Sequence, residues 1–201
     1  MVTVTACTPV EKGRLCVCFD NGTELILYRT EARRFGLREE YTVTDAVFQE
    51  LLFDVVGKRA KKRAMHLLEQ MDRTEQQLRE KLKQGGYPQV CIDEALDYVK
   101  SYHYVDDYRY ACTYIRYRQE RMSRQQLKVK LAQKGVPGDL MQQALDECYE
   151  GDEDGQIKQL LEKRRFDPAH ADRKEFNRTY QYLMRRGFPG SAILRAMKSR
   201  Q

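Results

Sequence analysis

Three times along this chain a glycine, an apolar residue and a proline follow one another in the same surroundings. The copies are Gly86-Tyr87-Pro88, Gly135-Val136-Pro137 and Gly187-Phe188-Pro189, spaced 49 and 52 residues apart. Four residues before each glycine stands a leucine: Leu82, Leu131 and Leu183. Apolar residues recur five, six, nine and ten positions after it, as Cys91/Ile92/Ala95/Leu96, Leu140/Met141/Ala144/Leu145 and Ala192/Ile193/Ala196/Met197. An internal repeat with a period near 50 residues restricts the chain to a tandem architecture.

Each copy reads as a joint between two helices. Glycine adopts the left-handed conformation that ends a helix, and the apolar residue after it supplies the contact of a Schellman stop. The proline, with φ preset and no N–H to satisfy, is expected to open the next helix. Upstream, Thr74-x-x-Gln77 and Ser123-x-x-Gln126 have capping-box spacing, which predicts helices over 74–84 and 123–133. Asp172-x-x-Glu175 is a looser equivalent, so the third such helix starts earlier. The helix after each joint carries an i, i+3, i+4, i+7 stripe: Ile92, Ala95, Leu96, Val99, then Met141, Ala144, Leu145, Cys148. In the last copy the stripe ends at Met197, because Arg200 stands where the next apolar residue would fall. A preceding helix in copy one carries Ala60, Ala64, Leu67, Leu68 and Met71. The unit is therefore three short helices, and neighbouring units are expected to support one another.

The first quarter differs. Asn21-Gly22 between Arg14–Asp20 and Thr23–Tyr28 is a two-residue hairpin signal. Pairing across it puts Leu15, Val17, Ile26 and Tyr28 on one face and Cys16, Cys18, Leu25 and Leu27 on the other. A short helix after Thr30 and a longer one after Thr44 are expected to cover one face, and Gly57 to mark a break before the first repeat. The predicted fold is all-α: three tandem three-helix repeats in an elongated, curved array behind an N-terminal β-hairpin with helices. The segments are 1–57, 58–104, 105–151 and 152–201.

One residue in three is charged, and the mean hydropathy is −0.75, which suits a thin helical array. No run of 18 apolar residues occurs, and the first ten residues lack the regions of a signal peptide, so a cytoplasmic protein is expected, with no membrane contact. The six cysteines lack scaffold spacing and read as reduced core residues. A monomer is expected, since no large apolar stripe is left over.

The net charge of +6 conceals segregation. Between Arg109 and Lys134 eight bases (Arg109, Arg116, Arg118, Arg121, Arg124, Lys128, Lys130 and Lys134) face one acid, Glu120. A second basic run holds Lys58, Arg59, Lys61, Lys62 and Arg63. Six acids and no base lie from Asp146 to Asp154. A solvated helix face normally mixes signs, so the imbalance points to a polyanion or an acidic partner. Tyr102, Tyr104, Tyr108, Tyr110, Tyr114 and Tyr117 lie beside the basic stretch. They would stack on exposed bases or, the simpler reading for most of them, pack one helix on its neighbours.

No catalytic constellation is found. There is no P-loop, and His66, His103 and His170 lack metal-site spacing. Cys16-x-Cys18 has no second pair, and Asp106-Asp107 read as helix-capping residues. No cofactor and no enzymatic activity are expected.

The run from Arg73 to Leu82 (Arg-Thr-Glu-Gln-Gln-Leu-Arg-Glu-Lys-Leu), followed by Gly86-Tyr87, resembles the R-[ST]-x-x-E/Q-L-x-x-K-L…G-[YF] signature of RecX proteins. Tyr104-Val105-Asp106-Asp107-Tyr108-Arg109-Tyr110-Ala111 is similar to the Y-[LV]-D-D-x-x-[FY]-A run that opens that family's second unit. Leu127-x-x-x-Leu131-x-x-Lys134-Gly135-Val136 resembles its L-x-x-x-L-x-x-K-G-[IV] segment. The resemblance covers about residues 58–201. Copy three departs from it, with Thr179 where the leucine eight residues before the glycine would stand.

The resemblance implies a non-enzymatic bacterial regulator of the RecA recombinase, with a place in DNA recombination, repair and the SOS response. Such proteins bind RecA filaments on single-stranded DNA, lodge in the helical groove, and suppress ATP hydrolysis and strand exchange. On this reading the basic residues of the second unit, with Lys58–Arg63 nearby, line a concave side facing the filament. The rival readings are a helical-repeat protein that binds nucleic acid without RecA, and a passive scaffold for another acidic partner.

Overall fold

The structure, a computed structural model, describes residues 1–198. All three joints take the conformation their residues demand. Gly86, Gly135 and Gly187 have φ of +77°, +81° and +77°. The next amide donates back to the leucine carbonyl: Tyr87 to Leu82 at 3.4 Å, Val136 to Leu131 at 3.2 Å and Phe188 to Leu183 at 3.4 Å. The glycine N–H closes the inner bond, to Lys83, Ala132 and Met184. This is the Schellman pair, and it satisfies carbonyls that a helix end leaves open.

The proline stands one step earlier than expected. Pro88 and Pro137 have ψ of 151° and 143° and occupy the N-cap, so the next helix begins at the residue after them. Their carbonyls accept the first helical bonds, from Ile92 at 3.0 Å and Met141 at 2.9 Å.

The chain divides into two compact units, Met1–Asp106 and a second beginning at Asp107. In the first, β1 (Val2–Val10), β2 (Arg14–Phe19), β3 (Glu24–Tyr28) and β4 (Thr42–Val43) form an antiparallel sheet in the order β3-β2-β1-β4. The expected hairpin is there, but its register is shifted by one. Cys16 pairs with Ile26 and Val17 with Leu25, so Leu15, Val17, Leu25 and Leu27 share a face. The cause is a three-residue turn. The Gly22 amide donates to the Phe19 carbonyl (3.0 Å), the Phe19 amide to the Thr23 carbonyl (2.9 Å), and Gly22 has φ +79°. One extra loop residue turns one strand over relative to the other. Val17, Phe19, Leu25 and Leu27 are buried, whereas Cys16, Cys18 and Ile26 are half-buried.

Helix α1 (Arg29–Arg34) follows β3. The Thr44 hydroxyl caps α2 (Asp45–Gln49) by accepting from the Val47 amide at 3.3 Å. The helix then continues as a π-helical stretch, Glu50–Gly57, directly into α3 (Lys58–Gln70). The break expected at Gly57 does not occur: its φ and ψ are −62° and −44°. The glycine instead gives close approach: a Cβ would lie 2.9 Å from Glu94 Oε2, so that carboxylate would have to shift, and 3.2 Å from the Leu52 carbonyl. Helices α4 (Glu75–Gln84) and α5 (Gln89–Ser101) complete the first repeat.

Thr74 and Gln77 form the expected capping box, with bonds of 3.2 and 3.3 Å. The stripe Ile92, Ala95, Leu96 and Val99 is buried on Ala60, Ala64 and Leu67, in one core with the sheet. Met71 is 56% exposed, since α3 ends before it. Fully burying Leu78 and Leu82 stabilises this unit by about 2 kcal/mol each.

The second unit holds two repeats. Repeat two is α6 (Asp107–Arg118), α7 (Arg124–Gln133) and α8 (Gly138–Cys148). Repeat three is α9 (Glu153–Lys163), α10 (Arg173–Arg185) and α11 (Gly190–Lys198). As expected, α10 starts early, with Asp172 accepting from the Glu175 amide at 2.6 Å. First and third helices pack together in every repeat, as α3 on α5, α6 on α8 and α9 on α11. Leu78 and Leu127 are fully buried, and Thr179, at the equivalent position of repeat three, is 2% exposed. Met197 is buried; Arg200 lies outside the described residues.

Repeats two and three keep separate apolar cores and are joined by polar bonds. The Ser123 hydroxyl donates to the Arg186 carbonyl at 2.7 Å. The Gln156 side-chain amide donates to the Gln119 carbonyl at 2.5 Å, and the Arg124 amide to Glu153 Oε1 at 2.8 Å.

Candidate partner-binding surface

The two basic runs have different surroundings. In the first, Lys58 pairs with Asp54 at 2.9 Å. Arg59, with its side chain 24% exposed, donates to the Ile26 carbonyl at 2.7 Å, approaches Glu31 at 3.4 Å and lies 5.1 Å from the Tyr28 ring centre. Lys61 reaches Glu94 at 2.7 Å and sits over Tyr98 at 5.6 Å. Arg59 and Lys61 therefore tie α3 to the sheet and to α5. Lys62 and Arg63 are exposed.

In the second run Arg109, Arg116, Arg118, Arg121, Lys128 and Lys130 are exposed, while Arg124 and Lys134 are half-buried. Arg124 pairs with Asp146 and lies 5.9 Å from the Tyr149 ring. Lys134 sits over the stacked rings of Tyr110 and Tyr114, at 5.9 and 5.3 Å. Arg116 donates to Cys148 Sγ at 3.7 Å, and Lys130 to Gln133 at 3.2 Å. Among the described residues, no carboxylate lies within ion-pair distance of Arg116, Arg118, Arg121, Lys128 or Lys130.

The acidic cluster is engaged within the fold. Asp146 holds Arg124, and Glu147 accepts from the Tyr108 hydroxyl. Asp152 caps α9 at 2.9 Å from the Gly155 amide, Glu153 accepts from the Arg124 amide, and Asp154 meets Arg195 at 3.3 Å. Hydrogen bonds from Gln142 and Arg124 hold the Asp146 carboxyl below its usual range. The Tyr108 hydroxyl does the same for Glu147. Burial, then Glu153, pushes the Tyr149 hydroxyl up to about 12. The acids steady repeats two and three and leave Arg116, Arg118, Arg121, Lys128 and Lys130 without an ion pair among the described residues, a segregation that favours an anionic partner.

The tyrosines divide likewise. Tyr108, Tyr110 and Tyr114 pack against the core of repeat two. Tyr117, between Arg116 and Arg118, is 81% exposed. Tyr98, Tyr102 and Tyr104 form an exposed cluster in the first unit: Tyr102 stacks on Tyr104, with ring centres 5.7 Å apart, and Tyr98 lies tilted against Tyr102 at 5.1 Å. Tyr98 carried no sequence signal because it lies in α5, ahead of the basic stretch, and joins Tyr102 and Tyr104 only through the fold.

Two concavities lie between repeats two and three. One, of about 900 Å³, mixes Arg121, Lys163, Arg164 and Arg186 with Glu120 and Glu150. In it the guanidiniums of Arg164 and Arg186 lie 4.5 and 5.1 Å from the Tyr182 ring. The other is a smaller groove between α7 and the end of α10. No described helix is long and apolar enough to cross a membrane. His66 lies beside Gln70 and Glu69, His170 beside Asp167, and His103 in a turn at φ 56°.

Comparison with known proteins accounts for this arrangement. Sequence models of one family match the repeats in order: "RecX, first three-helix domain" over residues 60–98, "RecX, second three-helix domain" over 106–145 and "RecX, third three-helix domain" over 152–197. The chain belongs to the RecX family, whose curated members carry the name regulatory protein RecX.

The protein of that name from Geobacillus kaustophilus is 31% identical over 163 residues, spanning 80% of this chain and 61% of the relative. The one from Caldanaerobacter subterraneus is 28% identical over 164 residues, 81% of each chain. A crystal structure of regulatory protein RecX superposes with a TM-score of 0.67 at 19% identity, covering 99% of this chain and 100% of that one. RecX from Lactobacillus salivarius superposes at 0.60 with 20% identity, over 71% and 95%. These superpositions establish the fold of three tandem three-helix domains.

Proposed function

We propose that this chain binds RecA filaments assembled on single-stranded DNA, lodging in the helical groove, and inhibits ATP hydrolysis and strand exchange. It does so without chemistry of its own, in the cytoplasm, as a monomer. The observation that carries this reading is the charge of the second repeat: Arg116, Arg118, Arg121, Lys128 and Lys130 are exposed, with no carboxylate at ion-pair distance among the described residues. A filament offers both acidic protein surface and phosphates, and such a surface attracts either. Arg109, Arg124 and Lys134 border the same helices, and Lys62 with Arg63 are the exposed members of the first run. Occupying the groove obstructs pairing with a second duplex and disfavours the protomer arrangement that hydrolyses ATP.

The test is RecA ATPase activity on single-stranded DNA with sub-stoichiometric amounts of this protein. Inhibition is expected, and none at any ratio would refute the reading.

The exposure of Tyr117 between two arginines favours a second reading, direct binding of nucleic acid by base stacking. A steep fall of free-strand affinity with salt, without any effect of RecA, would select it.

A further inference from the structure

The groove between α7 and the C-terminal end of α10 encloses about 350 Å³ and is lined by Met122, Gln125, Val129, Lys130, Met184 and Arg185 among others. Its floor is aliphatic and thioether. Val129 is 45% and Met184 42% exposed, and Met122 is half-buried. Its rim carries Lys130 and Arg185, both exposed, and no acid lines it. Neither cation is within ion-pair distance of a carboxylate among the described residues.

The walls are held together tightly. A Cβ on Gly187 would lie 3.0 Å from both Gln125 Cβ and Ser123 Oγ, so the end of α10 sits directly on the start of α7. The buried Ser123 hydroxyl fixes that approach through the Arg186 carbonyl. Two methionines in an exposed groove adapt to a range of apolar shapes.

An occupant must satisfy both chemistries. Phosphates would meet the cations and leave the apolar floor uncovered, and the floor has no aromatic ring on which a base would stack. An apolar peptide would leave the cations unmatched. We propose that this groove docks an acidic protein segment: one apolar side chain seated between Met122, Val129 and Met184, with carboxylates on either side meeting Lys130 and Arg185. The inference rests on the reading that the partner is a recombinase filament, and it deepens that reading by assigning this groove to the protein component rather than to the strand.

Binding is measured by fluorescence anisotropy for the full-length chain against RecA filaments on labelled single-stranded DNA, and against the same strand alone. Val129→Asp combined with Met184→Asp is expected to weaken filament binding by about tenfold or more, as for a central apolar anchor. The free-strand affinity stays within about twofold, and Met184→Leu, which keeps the floor apolar, stays near wild type. Lys130→Glu with Arg185→Glu alters only exposed side chains and gives the same selective loss if the aspartate variant fails to fold. Unchanged filament affinity in these folded variants overturns the assignment, as does an equal loss on the free strand, which would give the groove to nucleic acid. If the wild-type chain does not bind filaments, the functional reading falls and takes this inference with it.

Discussion

The hydroxyl of Ser123 stands 2.7 Å from the carbonyl of Arg186, a donor at the start of α7 in repeat two joined to the end of α10 in repeat three. The same oxygen accepts from the Gln126 amide at 3.2 Å, so one buried atom both caps α7 and fastens α10 to it. Ser123→Ala removes both bonds and leaves the Arg186 carbonyl to find water. A loss of about 1–2 kcal/mol is expected, read as a lower urea midpoint. An unchanged midpoint would contradict the tie.

The glycines separate strain from crowding. Gly22→Ala meets open space and carries only the left-handed backbone penalty, about 1–2 kcal/mol. Gly187→Ala carries that penalty and also drives a methyl into Gln125 and Ser123. The second variant is expected to melt at the lower temperature, with its excess loss traced by hydrogen exchange to α7 and α10.

Charge changes in the two basic runs have opposite consequences. Arg121→Glu with Lys128→Glu alters exposed side chains and leaves thermal stability within about 0.5 kcal/mol, while abolishing inhibition of the RecA ATPase. Lys61→Ala removes the partner of a half-buried Glu94 carboxylate whose other oxygen has no hydrogen bond among the described residues. It is expected to cost about 1–3 kcal/mol. Calorimetry and the ATPase assay on the same samples check both halves.

The Cys91 thiol is fully buried, donates to the Leu52 carbonyl at 3.2 Å, and is pushed up to about 11, chiefly by burial. Iodoacetamide at neutral pH should leave Cys91 unmodified in the native chain and label it in urea, as read by peptide mass spectrometry. A folded-state value above the unfolded one means the contribution is intact below about pH 8.5 and disappears as pH rises through the folded value. Cys91→Ala should therefore flatten the alkaline limb of the stability curve.

At the acid end the relevant groups are Glu75 and Asp93. Lys100 holds the Glu75 carboxyl below its usual range, with Arg79 assisting, and Arg79 does the same for Asp93. Lowered folded values give stability that is present above about pH 4 and lost as pH falls through them. All four side chains are about a third to half exposed, so solvent screening keeps the effect modest. Arg79→Ala should reduce the loss of urea midpoint between neutral and acid pH.

What was legible in the chain was local. A Schellman joint is complete within about ten residues, so Leu82, Gly86 and Tyr87 carry all of its chemistry, and the same holds at Gly135 and Gly187. Capping boxes and amphipathic stripes are as short in range, which is why Thr74 and the stripe from Ile92 to Val99 could be read directly. The hairpin register failed by a single loop residue, since an Asn-Gly pair serves both a two-residue turn and the three-residue turn found at Gly22. Strand β1 went unread, because a strand is stabilised by partners distant in sequence. Gly57 was legible as a glycine but not for its use, which depends on Glu94 arriving from another helix.

Charge follows the same division. The sequence alone determined the three repeats, their joints and the family, because repeated local chemistry survives without knowledge of what packs against it. Only the tertiary structure decided which charges are available. Arg59, Lys61 and Arg124 look like their exposed neighbours in the sequence, yet each is bound to groups far along the chain. Asp146, Glu147, Asp152, Glu153 and Asp154 are drawn into caps and ties, and the bases around Arg121 and Lys128 are left facing outward. That sorting depends on distances between residues that the chain keeps far apart, and no local pattern encodes it.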